Sequence, residues 1–190
     1  MAYHHGDLRR ALLAAAVEAI GEHGPAGVSL RDLARRANVS HAAPAHHFGD
    51  KAGLLTALAA EGFTLLAAEL RAAGERTGSF LEVGVAYVGF AVRHPAHFAV
   101  MYRPDLYRAA DPTVVAARDA AAGSLRGGGG DLPSDASQDA DPAVNALAAW
   151  SLVHGLATLY LSGSLRTVPT DDPEELARLV AGVLFSSPAG

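Results

Sequence analysis

An all-α fold is predicted by three observations on the 190-residue sequence. Half the chain is hydrophobic while only 6% is aromatic, so alanine, leucine and valine supply most of the buried surface, a composition suited to packed helices. Apolar residues recur three and four positions apart along nearly the whole length, and no run alternates convincingly as a strand would. Pro25, Pro95, Pro104, Pro112, Pro142 and Pro173 fall at the edges of these periodic segments.

The elements follow in order. Residues 7–23 place Leu8, Leu12, Leu13, Ala16, Val17 and Ile20 at helical spacing, and His23-Gly24-Pro25 ends that helix. Ser29 offers an N-cap for a second helix, with Asp32 in its first turn and Leu30, Leu33, Ala34 and Ala37 following; it stops near Asn38. Ser40 is the candidate N-cap of a third short helix, which makes Pro44 its fourth residue. Asp50 caps a longer fourth helix running toward residue 73. Beyond Gly78, Phe80 to His94 forms an apolar segment cut at Pro95, and a short piece continues to Arg103 before Pro104. Pro112 to Leu125 is a further helix, and residues 127–141, glycines followed by an Asp/Ser/Pro-rich run, read as a flexible surface loop. Pro142 to Gly163 is apolar nearly all round, and Pro173 to Phe185 carries Leu176, Leu179, Val180, Val183 and Leu184 along one side.

Charge and residue usage narrow the function. The chain has no cysteine, which removes disulfides, thiolate zinc sites and cysteine nucleophiles. Asp7, Arg9, Arg10 and Glu18 interrupt any signal-peptide-like apolar run, and Ser151 and His154 break the longest apolar helix. The expectation is a cytoplasmic protein with no membrane span. The formal charge of −5 is unevenly placed: residues 1–55 hold six Lys/Arg against five acids, and the remainder holds nine against fifteen. Six of the nine histidines (His4, His5, His23, His41, His46 and His47) also lie in the first part. A mildly basic head on an acidic body is compatible with nucleic acid in a way that a uniformly acidic surface is not.

Three short helices with a tight turn between the second and third form a helix-turn-helix pattern, in which the third helix enters the major groove of DNA. The segment "NVSHAAPAHHFGDK", 38–51, fits that role. Ala42, Ala43 and Ala45 allow close approach, His41 and His46 reach base edges or phosphates, and only Pro44 and Phe48 have core-like bulk. The plainer alternative is a solvent-exposed alanine helix. Lys51, the single lysine beside fourteen arginines, follows the Asp50 cap, where the helix dipole disfavours a cation unless an anion is near.

With these residues in view, "YHHGDLRRALL" (3–13) and "GPAGVSLRDLARRANVSHAAPAHHFGDKAGLL" (24–55) resemble the DNA-binding domain of the TetR/AcrR family of bacterial repressors, over about the first 60 residues. Tyr3 to Gly6 then is a family-like leader. The resemblance implies a helix-turn-helix domain at 1–55, a helical effector-binding and dimerisation domain at 56–190, and a homodimer through the last two helices. It places His41, Ala42 and Ala43 where bases are read, with Arg31 able to join them and Ser40 at the start of the reading segment. It places His47 and Lys51 where phosphates are held, with Ser29 adding a hydrogen bond. Ala45 departs from the family's usual tyrosine and His46 from a larger residue. The loss of the tyrosine removes a phosphate contact, for which His46 is the candidate replacement.

In the body, Trp150, His154 and Gly155 resemble the Trp-x-x-x-His-Gly signature of one C-terminal class of the same family. Trp150 and His154 share a helical face, as core residues or on an effector cavity, and Gly155 permits close helix contact. Tyr87, Phe90, His94, His97, Phe98, Met101 and Tyr102, bracketing Pro95, are the other candidates for lining that cavity. The implied partners are a palindromic double-stranded DNA operator and a small-molecule effector, with repression as the family's default. No cofactor, catalytic residue or metal ligand is assigned: no phosphate loop, Ser-His-Asp order or carboxylate pair stands out. A metal-binding or metal-sensing protein using the histidine clusters is the alternative, although those clusters lack a complete ligand set at diagnostic spacing.

Overall fold

The structure, a computed structural model, describes residues 5–126 and 141–183. Among them the secondary structure is helical throughout: α1 (His5–Gly27), α2 (Leu30–Arg36), α3 (Ala43–Phe48), α4 (Lys51–Thr77), α5 (Phe80–Arg93), α6 (Pro95–Met101), α7 (Pro112–Arg126), α8 (Pro142–Leu161) and α9 (Pro173–Gly182). The 127–140 part of the expected loop, the Tyr3–His4 part of the leader, and Leu184 and Phe185 lie outside the described residues.

Most predicted boundaries agree within a few residues. Gly24, at φ 69° and ψ 170°, breaks α1 where His23-Gly24-Pro25 was expected to end it, leaving one detached turn to Gly27. The Ser29 hydroxyl accepts the Asp32 N–H at 3.2 Å, and the Asp50 carboxylate accepts the Gly53 N–H at 2.8 Å, so both expected caps are made. Ser40 is a correction. The N-cap of α3 is Ala42, with no side-chain hydrogen bond, and Ser40 instead accepts the Ala43 N–H on its backbone carbonyl at 3.0 Å. Pro44 therefore falls in the first turn rather than at the fourth position, where its missing N–H breaks no helical bond.

The described residues form two compact units, neither continuous in sequence. The first comprises the residues up to 63 together with 94–117, and the second comprises 64–93 with those from 118 onward. In the first unit α1 packs against α2, α3 and α6. Leu12, Leu13, Ala15, Ala16, Ala19, Ile20, Leu33 and Leu58 are buried there. In the second unit α5 is central, burying Val83, Tyr87, Val88 and Phe90 against α8 and α9. Arg178 of α9 grips Glu82 of α5 through two hydrogen bonds of 2.8 and 3.1 Å, and Arg93 bridges Glu69 and Glu174.

By length and composition, α4 and α8 could each cross a bilayer. In α4 most of the apolar stretch is buried in the protein, whereas α8 buries only 28% of its own. Val144, Leu147, Leu159 and Leu161 of α8, Leu179 of α9 and Val183 just after it are left exposed.

Candidate functional site

The turn between α2 and α3 fixes the pose of the third helix. Ala37 and Val39 donate to Leu33 and Ala34, and Asn38 takes a left-handed φ of 51°, a conformation asparagine tolerates better than most residues. Arg36 clamps α2 onto α1: its guanidinium holds both Glu22 oxygens at 2.9 and 2.6 Å and reaches Asp32 at 2.6 Å. Those hydrogen bonds from Arg36 keep the Glu22 and Asp32 carboxyls below their ordinary pKa values. Asp32 and Arg36 are one helical turn apart on α2, whereas Glu22 comes from α1, fourteen residues before Arg36.

On α3 the two bulky residues, Pro44 and Phe48, are buried one turn apart, and the Arg9 guanidinium covers the Phe48 ring at 5.4 Å. The opposite side therefore faces water: His41, Ala42, Ala45 and His46 are exposed, while Ala43 and His47 are half-buried at its edges. The His46 and His47 rings meet edge to face at 5.6 Å. Ser29, Arg31 and Ser40 are exposed as well. Lys51 donates to the Ala26 carbonyl at 2.7 Å, tying the start of α4 to the last turn of α1. Among the described residues no three His, Asp or Glu side chains are arranged to hold a metal ion.

The expected effector residues are distributed over both units. In the second, Trp150 donates its indole N–H to the Tyr87 hydroxyl at 3.3 Å, and that hydroxyl lies 2.8 Å from His154 Nδ1. The tryptophan can only donate, so Tyr87 accepts from it and can turn its own hydrogen to Nδ1, which suits a neutral His154 protonated on Nε2. Burial holds the His154 pKa below its ordinary value, in keeping with that neutral form. Phe90 and Tyr87 are wholly enclosed. Beside this chain is a small apolar cleft of about 20 Å³ lined by Phe80, Leu81, Leu125, Trp150 and Val153, of which only Trp150 was foreseen.

In the first unit, Phe98 and Phe63 both set their rings against Tyr102, at 5.2 and 5.8 Å. Met101 is buried against Gly62, where any Cβ would strike its sulfur. His94 packs on His97, and His97 Nε2 lies 3.2 Å from Glu61, a partner the sequence did not point to.

A tethered trihelical head presenting the polar side of a short helix across a tight turn defines a DNA-binding regulator of the helix-turn-helix class. Comparison with known proteins narrows this. Residues 12–58 match the family described as "Bacterial regulatory proteins, tetR family", and residues 80–184, more than half the chain, match "Tetracyclin repressor-like, C-terminal domain". The chain belongs to the TetR family. A protein of unknown function from Rhodococcus sp. RHA1 is 38% identical in sequence, with 96% of each chain covered and a TM-score of 0.78. The TetR family transcriptional regulator PfmR from Thermus thermophilus shares the fold at 22% identity and a TM-score of 0.70, covering 92% of this chain and 96% of its own. The HTH-type transcriptional regulator BetI from Agrobacterium fabrum (strain C58 / ATCC 33970) is 49% identical over 47 residues, 25% of this chain and 23% of that protein. The chain thus matches less than a quarter of that curated relative's length.

Proposed function

We propose that the protein is a cytoplasmic, homodimeric repressor that reads a palindromic operator and releases it on binding a small molecule. The observation that carries this reading is the two-sided character of α3 and the turn that leads into it, with Pro44 and Phe48 inside and His41, Ala42, Ala45 and His46 outside. A helix so arranged offers a low, polar surface that fits a groove. His41, Ala42 and Ala43 read bases, with Arg31 and Ser40 beside them. His46, His47, Lys51 and Ser29 hold phosphates, which set affinity and salt dependence.

The exposed leucines and valines of α8 and α9 support pairing of those helices with a second copy. Gly155 adds to this: a Cβ there meets nothing within 4 Å, so its small size answers no contact among the described residues. Two copies then present two α3 helices to a two-fold-symmetric site. The effector is an apolar or amphipathic molecule, taken up within the second unit near Trp150, His154, Tyr87 and Phe90; His94, Phe98, Met101 and Tyr102 belong to the first unit and are not assigned to that site. It releases DNA if it binds best to a state whose heads no longer match the operator spacing.

Selection of bound fragments from the native upstream region and from random duplexes tests the reading. The expected result is enrichment of one two-fold-symmetric sequence, bound about a thousandfold more tightly than random DNA at moderate salt. Absence of any preference would overturn it.

A further inference from the structure

The α6–α7 connector, far from the head in sequence, meets the start of α4 inside the first unit. Tyr107 is buried and donates its hydroxyl to the Met101 carbonyl at 2.8 Å, which folds the connector back on α6. The Arg108 N–H donates at 3.0 Å to the hydroxyl of Thr56, which is only 5% exposed and itself donates to the Ala52 carbonyl at 2.6 Å. The backbone of Arg108 is thereby fastened to the first turns of α4. Its guanidinium lies over Gly53, where a Cβ would come within 2.7 Å of Nη1 and would also overlap the Phe48 carbonyl oxygen. From there Nη2 reaches both Asp50 oxygens, at 3.0 and 2.9 Å.

Asp50 presents a conflict that this contact answers. Its carboxylate is needed to cap α4 through Gly53. Yet it stands in the chain between His47 and Lys51, the residues assigned above to phosphate, and a bare carboxylate there would repel the duplex. We propose that Arg108 is a positioning residue for DNA binding: it neutralises the Asp50 cap at the DNA-facing start of α4, and so makes operator affinity depend on the placement of the connector that follows α6. The inference rests on the DNA-binding reading proposed above.

A double-mutant cycle on the full chain separates the possibilities, using fluorescence anisotropy with the selected operator fragment and a salt series. Asparagine caps helices as well as aspartate, so D50N keeps the hydrogen bond to Gly53 and removes the charge. R108Q is expected to weaken operator binding about fivefold in the wild-type background, and R108K, which keeps the charge, to restore most of the loss. D50N is expected to bind at least as tightly as wild type, and R108Q added to D50N to cost nothing further. Melting curves of all variants report any loss of fold separately. Equal weakening in both backgrounds, with the salt slope reduced by about one, would make Arg108 a direct phosphate contact and overturn the proposal. No change in R108Q would overturn it also. A wild-type chain that binds none of the selected fragments instead brings down the DNA-binding reading beneath it.

Discussion

Leu147 of α8 offers a quantitative test of the paired state. It is 56% exposed, and Leu179 of α9 is 52% exposed, in helices whose inner stripes (Ala146, Ala149, Val153 and Leu156; Leu176, Ala177 and Ala181) already serve the core. Burying a whole leucine side chain contributes about 1.5–3 kcal/mol, so covering the exposed half of Leu147 contributes about 1 kcal/mol. In an isologous dimer the residue enters twice, giving about 2 kcal/mol and roughly a 30-fold change in dimer dissociation constant for Leu147→Ala. The monomer loses little, because the truncated atoms face water. Leu147→Glu would place a charge in the apolar contact and is expected to leave monomers at micromolar concentration. Sedimentation equilibrium over a concentration series measures both, and affinity for a two-fold-symmetric operator should fall in parallel. A wild-type monomer, or dimers of unchanged stability in both variants, would refute the assignment of this surface.

Two further outcomes are expected. Ala45→Tyr, at an exposed position on α3, should tighten operator binding about tenfold by adding a hydrogen bond to phosphate, measured by anisotropy. For His154, burial depresses the folded-state pKa, so the unfolded chain takes up this proton first and the stability it lends above about pH 6.5 is lost as pH falls below that value. Thermal melts from pH 7.5 to 5 should show His154→Gln losing less stability in acid than wild type; parallel curves would show that the burial has no such consequence.

The local rules of the chain made much of the fold legible. Gly24-Pro25, Ser29, Asp50 and Pro95 act through their own φ, hydroxyl, carboxylate or missing N–H on neighbours a few residues away, and each marks a boundary that the structure keeps. The two faces of α3 were legible for the same reason, since Pro44 and Phe48 are the only bulky side chains in a run of alanine and histidine. Ser40 was misread because a turn that bonds through its backbone carbonyl looks, in sequence, like a hydroxyl cap. The aromatic candidates around Pro95 divide between two packing groups. Aromatic residues around Pro95 share a stretch of chain, yet Tyr87 turns to Trp150 and His154 while Phe98 turns to Tyr102, and chain proximity says nothing about which packing partner wins.

From the residues alone the helices, most of their ends and the two-sided character of α3 could be read, because hydrogen bonds and steric limits within one or two turns decide those. Only the tertiary structure decided that Arg36 locks onto Glu22, that Glu61 faces His97, and that Arg108 reaches the Asp50 cap from 58 residues away. A charged side chain carries no local sign of its partner. Its choice is made by whichever opposite charge the packed helices bring within about 3 Å, and that distance exists only after the chain has folded.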